Sequence, residues 1–184
     1  MTKILSLQKL MAVRTQLRRA GKTVVFTNGC FDLLHRGHLQ YLSQARRLGD
    51  VLIVGLNDDD SIRRQHKGPE RPILPLEDRA AILSALEMVD YVCPFSEDTP
   101  ERMIAQLKPD VLVKGADYRL NQIVGREIVE RTGGRVIVLP LLEGRSTSAI
   151  VRKILRDYGY NTKPEIYSHK SAGATSSWSH GVME

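Results

Sequence analysis

The sequence predicts an α/β domain, an open parallel sheet of about five strands with helices on both faces, and three observations predict it. Short apolar runs of strand length alternate with longer stretches of helical apolar spacing, the pattern of parallel strands joined by crossover helices. The polar motifs fall just after the apolar runs, where open parallel sheets bind ligands. With 184 residues, 42% of them hydrophobic, the chain suits one domain with a sizeable core and is too short for two of ordinary size.

The elements follow in order. Ser6 can cap a first helix that runs through Leu10, Val13 and Leu17 and stops at Gly21, a favourable residue just past a helix end. A strand from Thr23 to Thr27 contains the buried run Val24, Val25 and Phe26, and a helix from Gly37 to Leu48 packs back on it. Then come a strand (Val51 to Leu56), a helix (Glu77 to Leu86), a strand (Tyr91 to Pro94), a helix (Pro100 to Leu107) and a strand (Val111 to Lys114). A helix near Gln122 to Arg131, a strand from Arg135 to Leu139 and a last helix from about Ser146 to Arg156 complete a domain over residues 1–158. Residues 159–184, with the run SAGATSSWSHG, offer no periodic apolar face and are expected to be a disordered tail, in which His169 and His180 have no assigned role.

The run from Thr27 to His38, TNGCFDLLHRGH, is the most informative stretch. An apolar strand empties into a tight turn that carries His35 and His38 at a helix start. Helix N-termini present unpaired N–H groups and a partial positive charge, so two imidazoles there add donors to a place already suited to phosphate oxygens. Gly37 between them lets a ligand approach the backbone closely. One such histidine could merely cap a helix or fill a crevice; two flanking a glycine at a strand end point to a ligand. Residues three apart could share a metal, but no Cys or carboxylate cluster nearby completes four ligands, so a structural zinc site is not expected. Near the other end, Ser146, Thr147 and Ser148 open the last helix, and a plain cap needs only one hydroxyl, so the run of three suggests phosphate binding. There is no Gly-x-Gly-x-x-Gly after the first strand and no Walker lysine motif.

Composition excludes other classes. The net charge of +6 scatters over helix faces, with Arg14, Arg18 and Arg19 on the first helix and Arg46 and Arg47 on another, without interleaved aromatics for base stacking. Solvated helix faces account for most of it, and no nucleic-acid partner is expected; the remainder suits small polyanionic substrates. The longest apolar runs, such as Val136 to Leu142, are far short of the roughly 20 residues that span a bilayer, and no secretory start is visible, so no membrane partner and a cytoplasmic location are expected. Cys30 and Cys93 fit a reducing compartment, with Cys30 a small packed residue rather than a nucleophile.

Four stretches in order, TNGCFDLLHRGH, RPILPLEDR, LKPDVLVKGADY and GGRVIVLPLLEGRSTSAIV, resemble the cytidylyltransferase-like nucleotidyltransferases with their His-x-Gly-His signature, from about Ser6 to Ile154. Within that superfamily the chain is most similar to the heptose 1-phosphate adenylyltransferases, in a stand-alone form or as an excised domain. The resemblance implies a Rossmann-like, HIGH-type nucleotidyltransferase fold, ATP and a sugar 1-phosphate as substrates, Mg²⁺, and a homo-oligomer, with a dimer favoured. It also implies roles for residues. The Cys30 and Phe31 backbone would lie along the nucleotide, and Asp32 would organise the histidine turn or the metal. Lys67, beside His35 and His38 in catalysis, would reach the phosphates from a flexible loop, or be a solvated loop lysine. Asn28 and Arg79 would contact the substrate phosphate, Arg79 having the alternative of an ordinary helix-surface arginine. Gly115 would let the chain pass close to the base, with Asp117 meeting the nucleoside or stabilising a turn. Many relatives carry a lysine where this chain has Ala149, and Arg145 could supply that charge; Gln65 stands where a cytidylyltransferase would show a substrate-binding lysine. Both differences favour the heptose branch over a glycerol 3-phosphate cytidylyltransferase. A non-catalytic nucleotide- or nucleic-acid-binding module is the reading from another class.

Overall fold

The computed structural model describes residues 2–65, 71–116 and 120–159. Lys67, Asp117 and residues 160–184 of the expected tail lie outside the described residues.

The chain runs α1 (Leu7–Arg19), β1 (Val24–Gly29), α2 (Arg36–Arg46), β2 (Val51–Asn57), α3 (Asp59–Arg64), α4 (Leu76–Ala85), β3 (Tyr91–Phe95), α5 (Glu101–Leu107), β4 (Val111–Gly115), a 3₁₀ turn (Leu120–Gln122), α6 (Arg126–Arg131), β5 (Arg135–Leu139) and α7 (Thr147–Asp157). The five strands are all parallel, in the order β3-β2-β1-β4-β5. The chain moves outward from β1 to β3 and then crosses to β4, so the order reverses between β1 and β4 and opens a crevice beyond their carboxyl ends.

Alternation along the central strands builds a core on each side of the sheet. Val25, Leu52 and Val54 face one cluster with Leu42 and Ala45 of α2 and Leu83 of α4, whereas Val24, Phe26 and Ile53 face the other with Leu10 of α1, Ile104 and Leu107 of α5 and Val129 of α6. Because β1 and β2 are covered on both faces, they read as continuous apolar runs. Ser6 accepts from the Lys9 amide as the cap of α1, and Gly21 follows that helix at φ 64°. No helix among the described residues is long and apolar enough to cross a membrane.

Three features depart from the sequence reading. α3 went unforeseen: it is six residues long, set by an Asp58 cap that accepts from Ser61 N at 2.7 Å, and too short to show an apolar period. The helix expected from Gln122 begins only at Arg126, because Gly125 interrupts it at φ 84°; a Cβ there would come within 2.6 Å of the Ile104 side chain. Arg14 is not part of a solvated face: it is 5% exposed and donates to the Leu107 and Lys108 carbonyls and to Asp110, fastening α1 to the end of α5.

Candidate functional site

The crevice at the strand reversal is a cavity of about 400 Å³. Its floor is the end of β1 and β4 (Asn28, Gly29, Lys114, Gly115), one wall the turn into α2 (Cys30 to His38), and the other the start of α7 (Arg145 to Ser148).

The turn is held in shape from below. Arg79 of α4 is 1% exposed and donates to the carbonyls of Cys30 (2.7 Å), Asn57 (2.8 Å) and Leu74 (3.0 Å) and to the Asp59 carboxylate (2.6 Å). Asp32 is equally hidden; its carboxylate accepts from the amides of Ile73 and Leu74 at 2.9 Å and lies 2.5 Å from Arg71 Nε. The ends of β1 and β2 and the segment leading into α4 are thereby stitched together by charge-assisted hydrogen bonds, the stronger kind. Between these anchors Phe31 adopts φ 41°, a left-handed conformation unusual for an aromatic residue, and its ring packs against His38 with centroids 5.4 Å apart.

His35 occupies the cap position of α2 in extended conformation, yet its side chain makes no capping bond, so helix capping does not explain it. Its ring instead stacks on His38, with centroids 3.9 Å apart and planes 21° from parallel. Gly37 permits this: a Cβ there would come within 3.0 Å of the His35 ring. Both Nδ1 atoms are buried without a partner among the described residues, which leaves Nε2 as the ring atom able to meet a ligand. Burial, and then the charge of Arg145, lowers the pKa of His35; burial, His35 and Arg71 together lower that of His38 to about 4. Both rings are therefore neutral at pH 7, each able to donate one N–H.

On the opposite wall, Ser146 caps α7 by accepting from Ala149 N at 3.1 Å, and Thr147, largely buried, donates to the Leu33 carbonyl at 3.3 Å. Two of the three hydroxyls thus have structural duties, and the Thr147 bond ties α7 to the histidine turn. Arg145 is exposed at the mouth. The arrangement, a helix start, two neutral imidazole donors and three cations around a strand-end crevice, is chemically suited to hold and polarise a chain of phosphates.

A family description, Cytidylyltransferase-like, matches residues 26–153, from the middle of β1 into α7. The chain belongs to the cytidylyltransferase-like family. Among similar proteins, a "Bifunctional protein HldE" of Syntrophotalea carbinolica is 58% identical over 77% of this chain, and one of Geobacter sulfurreducens 54% identical over 85%. This cytidylyltransferase-like chain spans only 29% and 32% of the lengths of those two relatives. Of solved structures, the lipopolysaccharide core biosynthesis protein of Thermoplasma volcanium superposes with a TM-score of 0.57 at 28% identity, over 68% of this chain and all of the other. A pantoate-beta-alanine ligase of Francisella tularensis, with a TM-score of 0.55 at 16% identity over 90% and 84% of the two chains, shares the fold. The fold is the Rossmann-like, HIGH-type nucleotidyltransferase fold.

Within this cytidylyltransferase-like site the structure gathers Asn28, Cys30, Phe31, Asp32, His35, Gly37, His38, Gly115, Arg145, Ser146, Thr147 and Ser148 around one cavity. Arg79 is a correction: it lies outside the cavity, neither a surface arginine nor placed to touch a phosphate, since its guanidinium is spent on three carbonyls and a carboxylate. Asp32 is a second: two backbone amides and an ion pair with Arg71 engage its buried carboxylate, so it organises the turn, as one of the two expected roles had it, and is not disposed to ligate a metal. Arg71, Lys114 and Tyr41 also line the cavity and were not singled out in the sequence. Lys114 is 7% exposed and donates to Asn28 Oδ1; Tyr41 OH lies 2.7 Å from Thr27 Oγ1. A signal existed for Lys114, because a lysine inside an otherwise apolar central strand is out of place unless it reaches the strand end.

Proposed function

We propose that this chain is a heptose 1-phosphate adenylyltransferase, moving AMP from ATP to D-glycero-β-D-manno-heptose 1-phosphate with release of pyrophosphate. The observation that carries the reading is the stacked, neutral histidine pair facing the α7 start across the strand-reversal cavity. An oxygen of the sugar phosphate attacks the α-phosphorus in line, the bond from that phosphorus to the bridging oxygen breaks, and the electron pair leaves on pyrophosphate. No protein nucleophile is required, so catalysis is orientation together with stabilisation of negative charge.

His35 and His38 donate to the α- and β-phosphate oxygens as charge moves onto the leaving group. Arg145 and the start of α7 hold the far phosphates, and the Cys30–Phe31 backbone lies along the nucleotide, with Gly115 near the base. The family resemblance assigns Lys67 to the phosphates and Asp117 to the nucleoside. Among the described residues no group of three or more His, Cys, Asp or Glu side chains could hold a metal ion, and Asp32 is already engaged, so the residues do not fit a resident magnesium site. Mg²⁺ belongs to this reading as the partner of the triphosphate substrate. Substrate choice is supported by the heptose-type motifs and by Gln65 and Ala149 at the positions that separate the branches.

The test is pyrophosphate release with MgATP, MgCTP and MgGTP in turn against heptose 1-phosphate and glycerol 3-phosphate. Release with ATP and heptose 1-phosphate, abolished in His38→Ala, is the expected result. Preference for CTP with glycerol 3-phosphate would overturn the substrate assignment, and no release with any pair would overturn catalysis.

A further inference from the structure

Two arginines bracket the histidine pair, one at each end. Arg145 lies at the His35 end: its Cβ is 3.5 Å from the place where a Gly37 Cβ would be, and its charge acts on His35. Arg71 acts on His38 instead. The imidazoles stack at 3.9 Å, and both arginines line the same cavity. The Arg145 end adjoins the α7 start, which the adenylyl transfer proposed above assigns to the departing phosphates. Arg71, not used there, also lines the cavity where the other phosphate of the reaction would enter.

Arg71 is built as an anchored anion receptor. Its side chain is 12% exposed and its Nε lies 2.5 Å from an Asp32 carboxylate with no exposed surface, itself fixed by two backbone amides. Both members of the pair line the cavity. An arginine held by an ion pair on its Nε side presents its two terminal nitrogens as a planar fork, which matches two oxygens of one phosphate.

We propose that Arg71, anchored by Asp32, receives the phosphate of the acceptor, a sugar 1-phosphate; this rests on the adenylyl transfer above. The experiment is calorimetric titration of heptose 1-phosphate onto full-length wild type, Arg71→Lys and Arg71→Ala, each saturated with α,β-methylene-ATP, and titration of that analogue alone. In Arg71→Ala the sugar phosphate Kd should rise about 30-fold, in Arg71→Lys about 10-fold, with the analogue Kd within about threefold of wild type. The KM for the sugar phosphate should move in parallel.

Equal weakening of both ligands, or an unchanged sugar phosphate Kd, would overturn the assignment, as would a wild type that takes up no sugar phosphate. If Arg71→Ala does not fold, Arg71→Lys decides alone, because it keeps a cation beside Asp32 and loses only the fork. Arg71-dependent binding without pyrophosphate release would sink the catalytic reading and leave the subsite standing. Normal turnover with an unchanged KM in Arg71→Ala would do the reverse.

Discussion

The two walls of the cavity are built on opposite plans. On the β1–β2 side, Asp32 and Arg79 are buried and bonded to backbone amides and carbonyls, with the half-buried Arg71 paired to Asp32, so the turn they hold is fixed before any ligand arrives. On the β5–α7 side, Leu141, Arg145 and Ser146 are exposed, and the Thr147 hydroxyl, donating to the Leu33 carbonyl, joins α7 to the histidine turn. The first wall supplies geometry and the second adaptability. Mutations should therefore divide by what each side chain holds: Arg79 and the Thr147 tie act on stability, the cavity arginines Arg71 and Arg145 act on binding, and the histidines between them act on rate.

The sharpest way to break this division is Arg79→Met, which strips partners from three carbonyls and leaves Asp59 uncompensated. Breaking one side of such a buried network costs about 3–5 kcal/mol, which should appear as a Tm lower by roughly 10 °C. A Tm within 2 °C of wild type would remove the rigid wall from the account. His38→Ala comes next: kcat should fall on the order of 100-fold, with little loss of Tm, since Nδ1 has no partner to leave behind.

The same histidine sets a pH dependence. Its folded pKa of about 4 lies below the ordinary 6.5, so the native state resists protonation; the resulting stability is present in full above pH 6.5 and is lost as pH falls toward 4. The loss should be about 1–3 kcal/mol in urea melts of the ligand-free protein, and His38→Ala should flatten that slope. On the adaptable wall, Arg145→Ala should raise the KM for ATP about tenfold while leaving Tm within about 2 °C. Smallest is Thr147→Val, at about 1 kcal/mol of stability from the lost bond to Leu33, measured by urea unfolding.

The same contrast explains what could be read in the sequence. The strands and most helices were legible because a sheet covered on both faces forces apolar runs, and β5 falls where the sequence puts it, Arg135–Leu139. α3 was not, since its only fully buried apolar residue is Ile62 and six residues cannot show a period. In the site, the histidines and the hydroxyl run could be read from local spacing. Arg79 could not: a single arginine in LEDR carries no mark of the carbonyls of Cys30 and Asn57 that fold around it, which come from two separate strand ends. Arg71 was hidden for a similar reason, because its meaning lies in Asp32, 39 positions earlier in the chain.

Phe31 joins stability and turnover at one position. Its left-handed backbone costs about 1–2 kcal/mol that glycine would avoid, while its ring supports His38. That ring is also buried in the core cluster with Tyr41, Leu83 and Val113, and losing such burial costs about 3–5 kcal/mol, so Phe31→Gly would relieve the backbone and still lower the melting temperature. Selection for heat resistance and selection for product formation therefore keep the same aromatic ring, and the uncomfortable backbone persists because nothing pulls against it.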